Sequence, residues 1–155
     1  MKQSVKIRVL NINEMEVSDQ PVVFTCYGLG SCIGLFVTDR TKGISGGVHI
    51  PLPHTSGPSE WKDATYLISE LLHSFQAWGS DLRTLRAKVT GGAQVYGSLY
   101  GIGAQNAEAV LKQLTDRKIY IAATDVGGTI SRTARYHSPS GELEISTSEQ
   151  IKYSI

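Results

Sequence analysis

The chain is poor in charge imbalance, in cysteine and in long apolar runs, and each shortage excludes a class of function. Lys and Arg number 15 against 14 Asp and Glu, a formal net charge of +1 over 155 residues. That balance offers no broad field for nucleic acid or an anionic membrane, so a partner has to be recognised by shape and by specific groups. No apolar run approaches the roughly 20 residues that a spanning helix needs. The opening Met1-Lys2-Gln3-Ser4-Val5-Lys6-Ile7-Arg8 has neither the apolar stretch nor the small-residue cleavage site of a secretory signal. The expectation is a cytoplasmic protein, with no nucleic acid bound and no membrane insertion. Cys26 and Cys32 are the only cysteines. They are too few for a structural zinc site, form no Cys-x-x-Cys, and in a reducing compartment are expected as thiols. There is no Walker A motif, and Ile33 stands where a dinucleotide fingerprint beginning at Gly28 and Gly30 needs its third glycine. Repeats, low-complexity segments and linkers are missing as well, which predicts a single domain over residues 1–155.

What is present is a 41% hydrophobic content arranged in short β-branched runs. Strands are expected over residues 5–10, 22–27, 32–37, 44–50, 86–90, 119–124, 132–136 and 143–146. Trp61, Ala64, Leu67, Ile68, Leu71, Leu72, Phe75 and Trp78 follow helical spacing, which predicts a helix over residues 60–78, capped by Ser59 and stopped by Gly79. A second helix is expected over residues 104–115, with Ala107, Val110, Leu111 and Leu114 on one face. Three prolines and a glycine between Pro51 and Pro58 mark a loop. Many strands with two amphipathic helices predict an α/β or α+β fold, a mixed-sheet sandwich with flanking helices.

Chemistry concentrates at Gly28-Leu29-Gly30-Ser31-Cys32. A cysteine that ends a glycine-rich turn and opens a strand can face a cleft, and the backbone N–H groups near Gly30 and Ser31 can face a developing oxyanion. A thiolate nucleophile needs an imidazole nearby. His49 is the candidate, at the end of the strand over residues 44–50 and just before Pro51. Each residue has a plainer reading too: Cys32 as a small core hydrophobe, His49 as a hydrogen-bonded structural histidine. His49 and His54 are spaced across a proline loop, which argues against a metal pair. Gly91-Gly92 and Gly127-Gly128 are either tight turns or backbone walls of a cleft. Asp125 fits a loop-fixing role, and Arg132 and Arg135 read as solvated surface cations.

These residues resemble the CheD family of chemoreceptor glutamine deamidases. The resemblance runs through Gly28–Leu35, Gly47-Val48-His49-Ile50-Pro51-Leu52-Pro53, Lys88-Val89-Thr90-Gly91-Gly92-Ala93, Ile102-Gly103-Ala104-Gln105-Asn106-Ala107-Glu108-Ala109-Val110, Asp125-Val126-Gly127-Gly128 and Ser140-Gly141-Glu142-Leu143. It implies a fold similar to the catalytic domain of cytotoxic necrotizing factor toxins. It implies Cys32 as nucleophile and His49 as general base and acid, acting on glutamines of methyl-accepting receptor helices, with no cofactor and with a CheC-type phosphatase as a possible partner. The family usually carries a threonine six positions before the nucleophile to orient the histidine. Here that position is Cys26, and Thr25 lies one place earlier on the opposite face of a strand. A bulge that restores Thr25, another orienting group, or reduced activity would each follow. The same thiol would serve a receptor methylesterase, and a weakened site would leave a non-catalytic adaptor for receptor helices or the phosphatase.

Overall fold

The computed structural model describes residues 4–95 and 101–155. Ten strands form two five-stranded sheets. The first sheet runs β1-β3-β8-β9-β10 and the second β2-β5-β4-β6-β7. In chain order the strands are β1 (Lys6–Val9), β2 (Met15–Ser18), β3 (Val22–Leu29), β4 (Ile33–Asp39), β5 (Ile44–Ile50), β6 (Leu85–Gly91), β7 (Tyr120–Val126), β8 (Arg132–His137), β9 (Glu142–Thr147) and β10 (Lys152–Ser154). The helices are α1 (Ala64–Ala77) and α2 (Ile102–Asp116). β1 with β3 and β6 with β7 are parallel pairs, and the remaining pairs are antiparallel, so both sheets are mixed. The expected sandwich with flanking helices is what forms. No described helix is long and apolar enough to cross a membrane.

The side-chain alternation of β4 divides the core in two. Ile33, Leu35 and Val37 point away from the first sheet and pack with Leu67, Leu71, Phe75, Val110 and Leu114 of the helices. Phe36 points the other way, into a layer between the sheets with Phe24, Cys26, Leu29, Tyr136 and Ile145. The rings of Phe36 and Tyr136 stack across that layer at 5.5 Å. The two sheets and one layer of helices thus make a three-layer structure in which β4 is shared by both cores.

Several boundaries differ from those the sequence suggests. Helix α1 begins at Ala64, four residues later than expected, because Asp63 and not Ser59 is its N-cap. The Asp63 carboxylate accepts from Tyr66 N at 2.9 Å with one oxygen and from Thr55 N at 3.1 Å with the other. Ser59 accepts only from Trp61 N, in the preceding loop. Trp61 matches the helical spacing but lies before the helix and is exposed. At the other end Gly79 takes a left-handed φ of +95°, with Gly79 N donating to Gln76 O and Ser80 N to Phe75 O. That is the paired closure typical of a glycine stop. β2 and β10 were not expected. Both are short edge strands with too few apolar residues to show a period of two. β3 runs on to Leu29, so the turn before Cys32 is shorter than the glycine pattern suggests.

Because Asp63 holds both the helix start and the loop at Thr55, Asp63→Ala is expected to lower stability by about 1 kcal/mol, and Ser59→Ala by much less. Denaturant midpoints of the two variants check this; equal losses would return the cap to Ser59.

Candidate active site

The site is set by the pairing of β4 with β5. Gly34 stands directly opposite His49, and Ile33 opposite Ile50. Ile33, Val48 and Ile50 belong to the helix-facing core. By alternation Cys32 and His49 therefore both face the first sheet. Cys32 is half-buried against the inter-sheet layer, and His49 is 6% exposed. The two residues are diagonal neighbours across the strand pair, positions about 7–8 Å apart. The residue between them on that face is Gly34. A Cβ there would lie 3.1 Å from Phe36 Cε2 and 3.2 Å from Leu29 Cδ1. Glycine at this position lets the Phe36 ring and Leu29 pack down onto the strand beside the two residues.

His49 is oriented by backbone. Its Nδ1 donates to the Leu10 carbonyl at 2.8 Å, a bond that fixes the tautomer and leaves Nε2 as the basic nitrogen. Leu10 N in turn donates to Thr25 O at 2.8 Å. His49 N donates to Glu14 O, and its own carbonyl accepts from Asn13 N, at 3.1 and 3.0 Å. Burial lowers the pKa of the imidazole, opposed by the Leu10 carbonyl and by the charge of Glu14. The balance favours the neutral imidazole. Leu10 is the functional residue that sequence reasoning misses, and its contribution is a carbonyl oxygen with no side-chain signature.

The side chain of Thr25 does not take part. Phe24 and Cys26 face the inter-sheet layer, so Thr25 faces the outer side of the first sheet. It is buried there, and its hydroxyl has no hydrogen-bond partner among the described residues. β3 does carry an irregularity, but between Cys26 and Leu29, downstream of Thr25, so it does not turn Thr25 inward. Thr25 acts on the site only through its carbonyl, which holds Leu10. Cys26 lies on the correct face but is fully buried. Burial first, and the Cys32 thiol beside it second, push its pKa up. Cys26 behaves as a core thiol.

The backbone around Cys32 is clamped. Gly92 N donates to Cys32 O at 2.9 Å and Ala93 N to Gly30 O at 2.8 Å. Gly91, with φ +109°, passes so close to the Cys32 carbonyl that a Cβ there would collide with it. Gly127 N donates to Gly91 O at 2.9 Å, and Gln94 N to Gly128 O at 2.8 Å. Both glycine pairs are therefore backbone walls behind the cysteine and not isolated turns. Burial pushes the Cys32 thiol up to about 11. Burial thus favours the uncharged form of both Cys32 and His49.

Other candidates sort as follows. His54 and His73 are exposed, away from these contacts. Asp125 accepts from Tyr153 Oη at 2.7 Å and from Arg132 Nη1 at 3.2 Å. Arg132 is buried and donates to the carbonyls of Asp125 and Gly127. It is a loop anchor and not a solvated cation. Arg135 lies over the Tyr27 ring at 5.5 Å.

A family model described as CheD chemotactic sensory transduction matches residues 52–147, a stretch beginning just after His49. Relatives extend the match over nearly the whole chain. The probable chemoreceptor glutamine deamidase CheD of Geobacillus kaustophilus is 38% identical, covering 96% of this chain and 94% of its own. The chemoreceptor glutamine deamidase CheD of Halalkalibacterium halodurans is 34% identical over 97% of each chain. That of Thermotoga maritima is 33% identical over 88% of each. A Neisseria meningitidis protein of known structure aligns over 80% of this chain and 63% of its own, at a TM-score of 0.44 and 10% identity, too slight a likeness to bear on function. On the strength of the family match and of relatives at this identity and coverage, the chain belongs to the CheD family.

Proposed function

We propose that this protein deamidates glutamine side chains on chemoreceptors, with Cys32 as the nucleophile and His49 as the base and acid. The observation that supports the proposal is that a half-buried thiol just before β4 and a tautomer-locked imidazole on β5 face the same side of the strand pair. Relatives that share most of the chain are named for this activity on receptors.

The chemistry follows from the two neutral groups. His49 Nε2 accepts the Cys32 Sγ proton as Sγ attacks the glutamine carboxamide carbon. The carbonyl π electrons move to oxygen, and backbone N–H groups of the Gly30–Cys32 turn, at Ser31 and Cys32, stabilise that oxyanion. The imidazolium returns the proton to the leaving nitrogen, ammonia departs and a thioester remains. Water, deprotonated by the same Nε2, attacks the thioester carbon. Glutamate forms and the thiol is restored. No step calls for a cofactor. The same reading carries a CheC-type phosphatase as a partner, which a pull-down with the purified phosphatase would test.

Conversion of glutamine to glutamate in a receptor cytoplasmic fragment, followed by peptide mass, is expected with this protein. It is expected to fall by about 10³-fold or more in Cys32→Ala and in His49→Ala. Binding without conversion would instead make the protein an adaptor, and loss of methyl groups alone would make it an esterase.

The pH profile has a definite sign. His49 has to be neutral to accept the thiol proton, and its pKa lies below the ordinary 6.5. The acid limb of kcat/KM is therefore expected below pH 6.5, with full activity persisting above it. A limb centred between pH 8 and 9 would report direct titration of a free thiol and remove His49 from the base role.

Position 26 supplies another check. Cys26→Thr is expected to change turnover by less than about threefold, since the Leu10 carbonyl already holds Nδ1. A rise of tenfold or more would show that a hydroxyl at this position still orients the histidine.

A further inference from the structure

Beyond Ile33 and Ile50 the β4–β5 ladder stops. The next residues are Cys32 and Pro51, and proline has no N–H with which to continue the pairing. Two main-chain carbonyls, Ser31 O and Pro51 O, are left at the open end of the strand pair. Asn106 of α2 reaches both: its Nδ2 donates to Ser31 O at 2.8 Å and to Pro51 O at 3.1 Å. Both partners are acceptors, so the amide orientation is determined. The side chain is fully buried, and its Oδ1 has no partner among the described residues. A core hydrophobe here would avoid the unsatisfied oxygen but leave the Ser31 and Pro51 carbonyls without this donor, so it is those two main-chain groups that call for the asparagine.

The placement of α2 is equally constrained. Gly103, one turn earlier, lies against the Gly92 and Ala93 carbonyls so closely that a Cβ would collide with both. Gly92 N is the group that holds Cys32 O. Helix α2 therefore meets the backbone of the nucleophile from two directions, through Gly103 and through Asn106.

We infer that Asn106 is a positioning residue of the active site. Its amide replaces the missing ladder rung and fixes the distance between the Cys32 turn and the end of β5 that carries His49. It touches neither reacting atom. It acts through Ser31, whose peptide precedes the Cys32 N–H, and through Pro51, two residues after the base. The inference rests on the proposed Cys32–His49 pair, and the test is chosen to separate the two.

The test is a double-mutant cycle on alkylation of Cys32 by iodoacetamide, followed on the Cys32 peptide by mass so that Cys26 does not enter. Four proteins are compared: the wild type, His49→Ala, Asn106→Ala and the double variant. In the wild-type background His49→Ala is expected to slow alkylation at pH 7.5 by about tenfold, a typical share of general-base assistance. In the Asn106→Ala background the same change is expected to matter less than about twofold, because the pair is no longer held in register. In parallel, kcat for the receptor fragment is expected to fall about 10²-fold with KM within about threefold. Arg117→Ala, which at the opposite end of α2 removes a bond to Ser69 of α1 and one back to Gln113 of α2, serves as the destabilised control and is expected to leave the His49 effect whole. Should Asn106→Ala fail to fold, Asn106→Asp keeps the volume and loses the double donor. An undiminished His49 effect in either Asn106 background overturns this inference alone. The absence of any His49 effect in the wild type overturns the proposed pair and this inference with it.

Discussion

The register between β4 and β5 is the constraint on which the rest depends. With Gly34 opposite His49, the imidazole and the Cys32 thiol share one face, and the aliphatic residues of both strands share the other. A slip of one residue would exchange the faces. It would put His49 among the helix-facing aliphatics and bring Val48 to the cysteine. The register is thus enforced by the large helix-side core, not by any interaction within the site. Glycine accompanies this arrangement on both strands. Gly34 admits Phe36 and Leu29 against the strand, and a Cβ at Gly47 would fall 2.9 Å from Leu10 Cδ1. Leu10 is the residue whose carbonyl orients the histidine, so close approach at Gly47 and orientation at His49 come from one contact.

Much of this was legible in the sequence, for reasons that can be named. β5 was readable to the residue, since Ile44–Ile50 is bounded by glycine and proline and carries isoleucine at both ends and valine between. Cys32 and His49 stood out as candidates because cysteine and histidine are rare here and each sits at one end of an apolar run. The start of α1 was not, because Trp61 happens to fall on the helical period while the chain is still held in a loop. There Asn13 donates to Glu60 O at 2.8 Å and accepts from Lys62 N at 2.8 Å. Such long-range bonds leave no trace in local pattern.

The third member of the site was illegible for a different reason. A search by side chain stops at positions 25 and 26, where one residue has the hydroxyl and the other has the face. The group that bonds Nδ1 is main chain, and any residue at position 10 could supply it. Asn106 was visible within a family-like stretch, but its target carbonyls at Ser31 and Pro51 are 75 and 55 residues away. Only the folded chain shows that it closes the end of a ladder that proline interrupts.

An orienting group built from main chain has a cost in temperature. Leu10 immediately follows β1, a four-residue edge strand whose side chains are all exposed, and which is held on one side by β3. Strands of this kind open locally at free energies well below that of global unfolding. Leu10 itself is buried in the inter-sheet core, so fraying of β1 draws on that core before the carbonyl can leave Nδ1. Heating that loosens the edge strand would disturb the orientation of the imidazole together with the core, with the side chain of Leu10 as the tie between them.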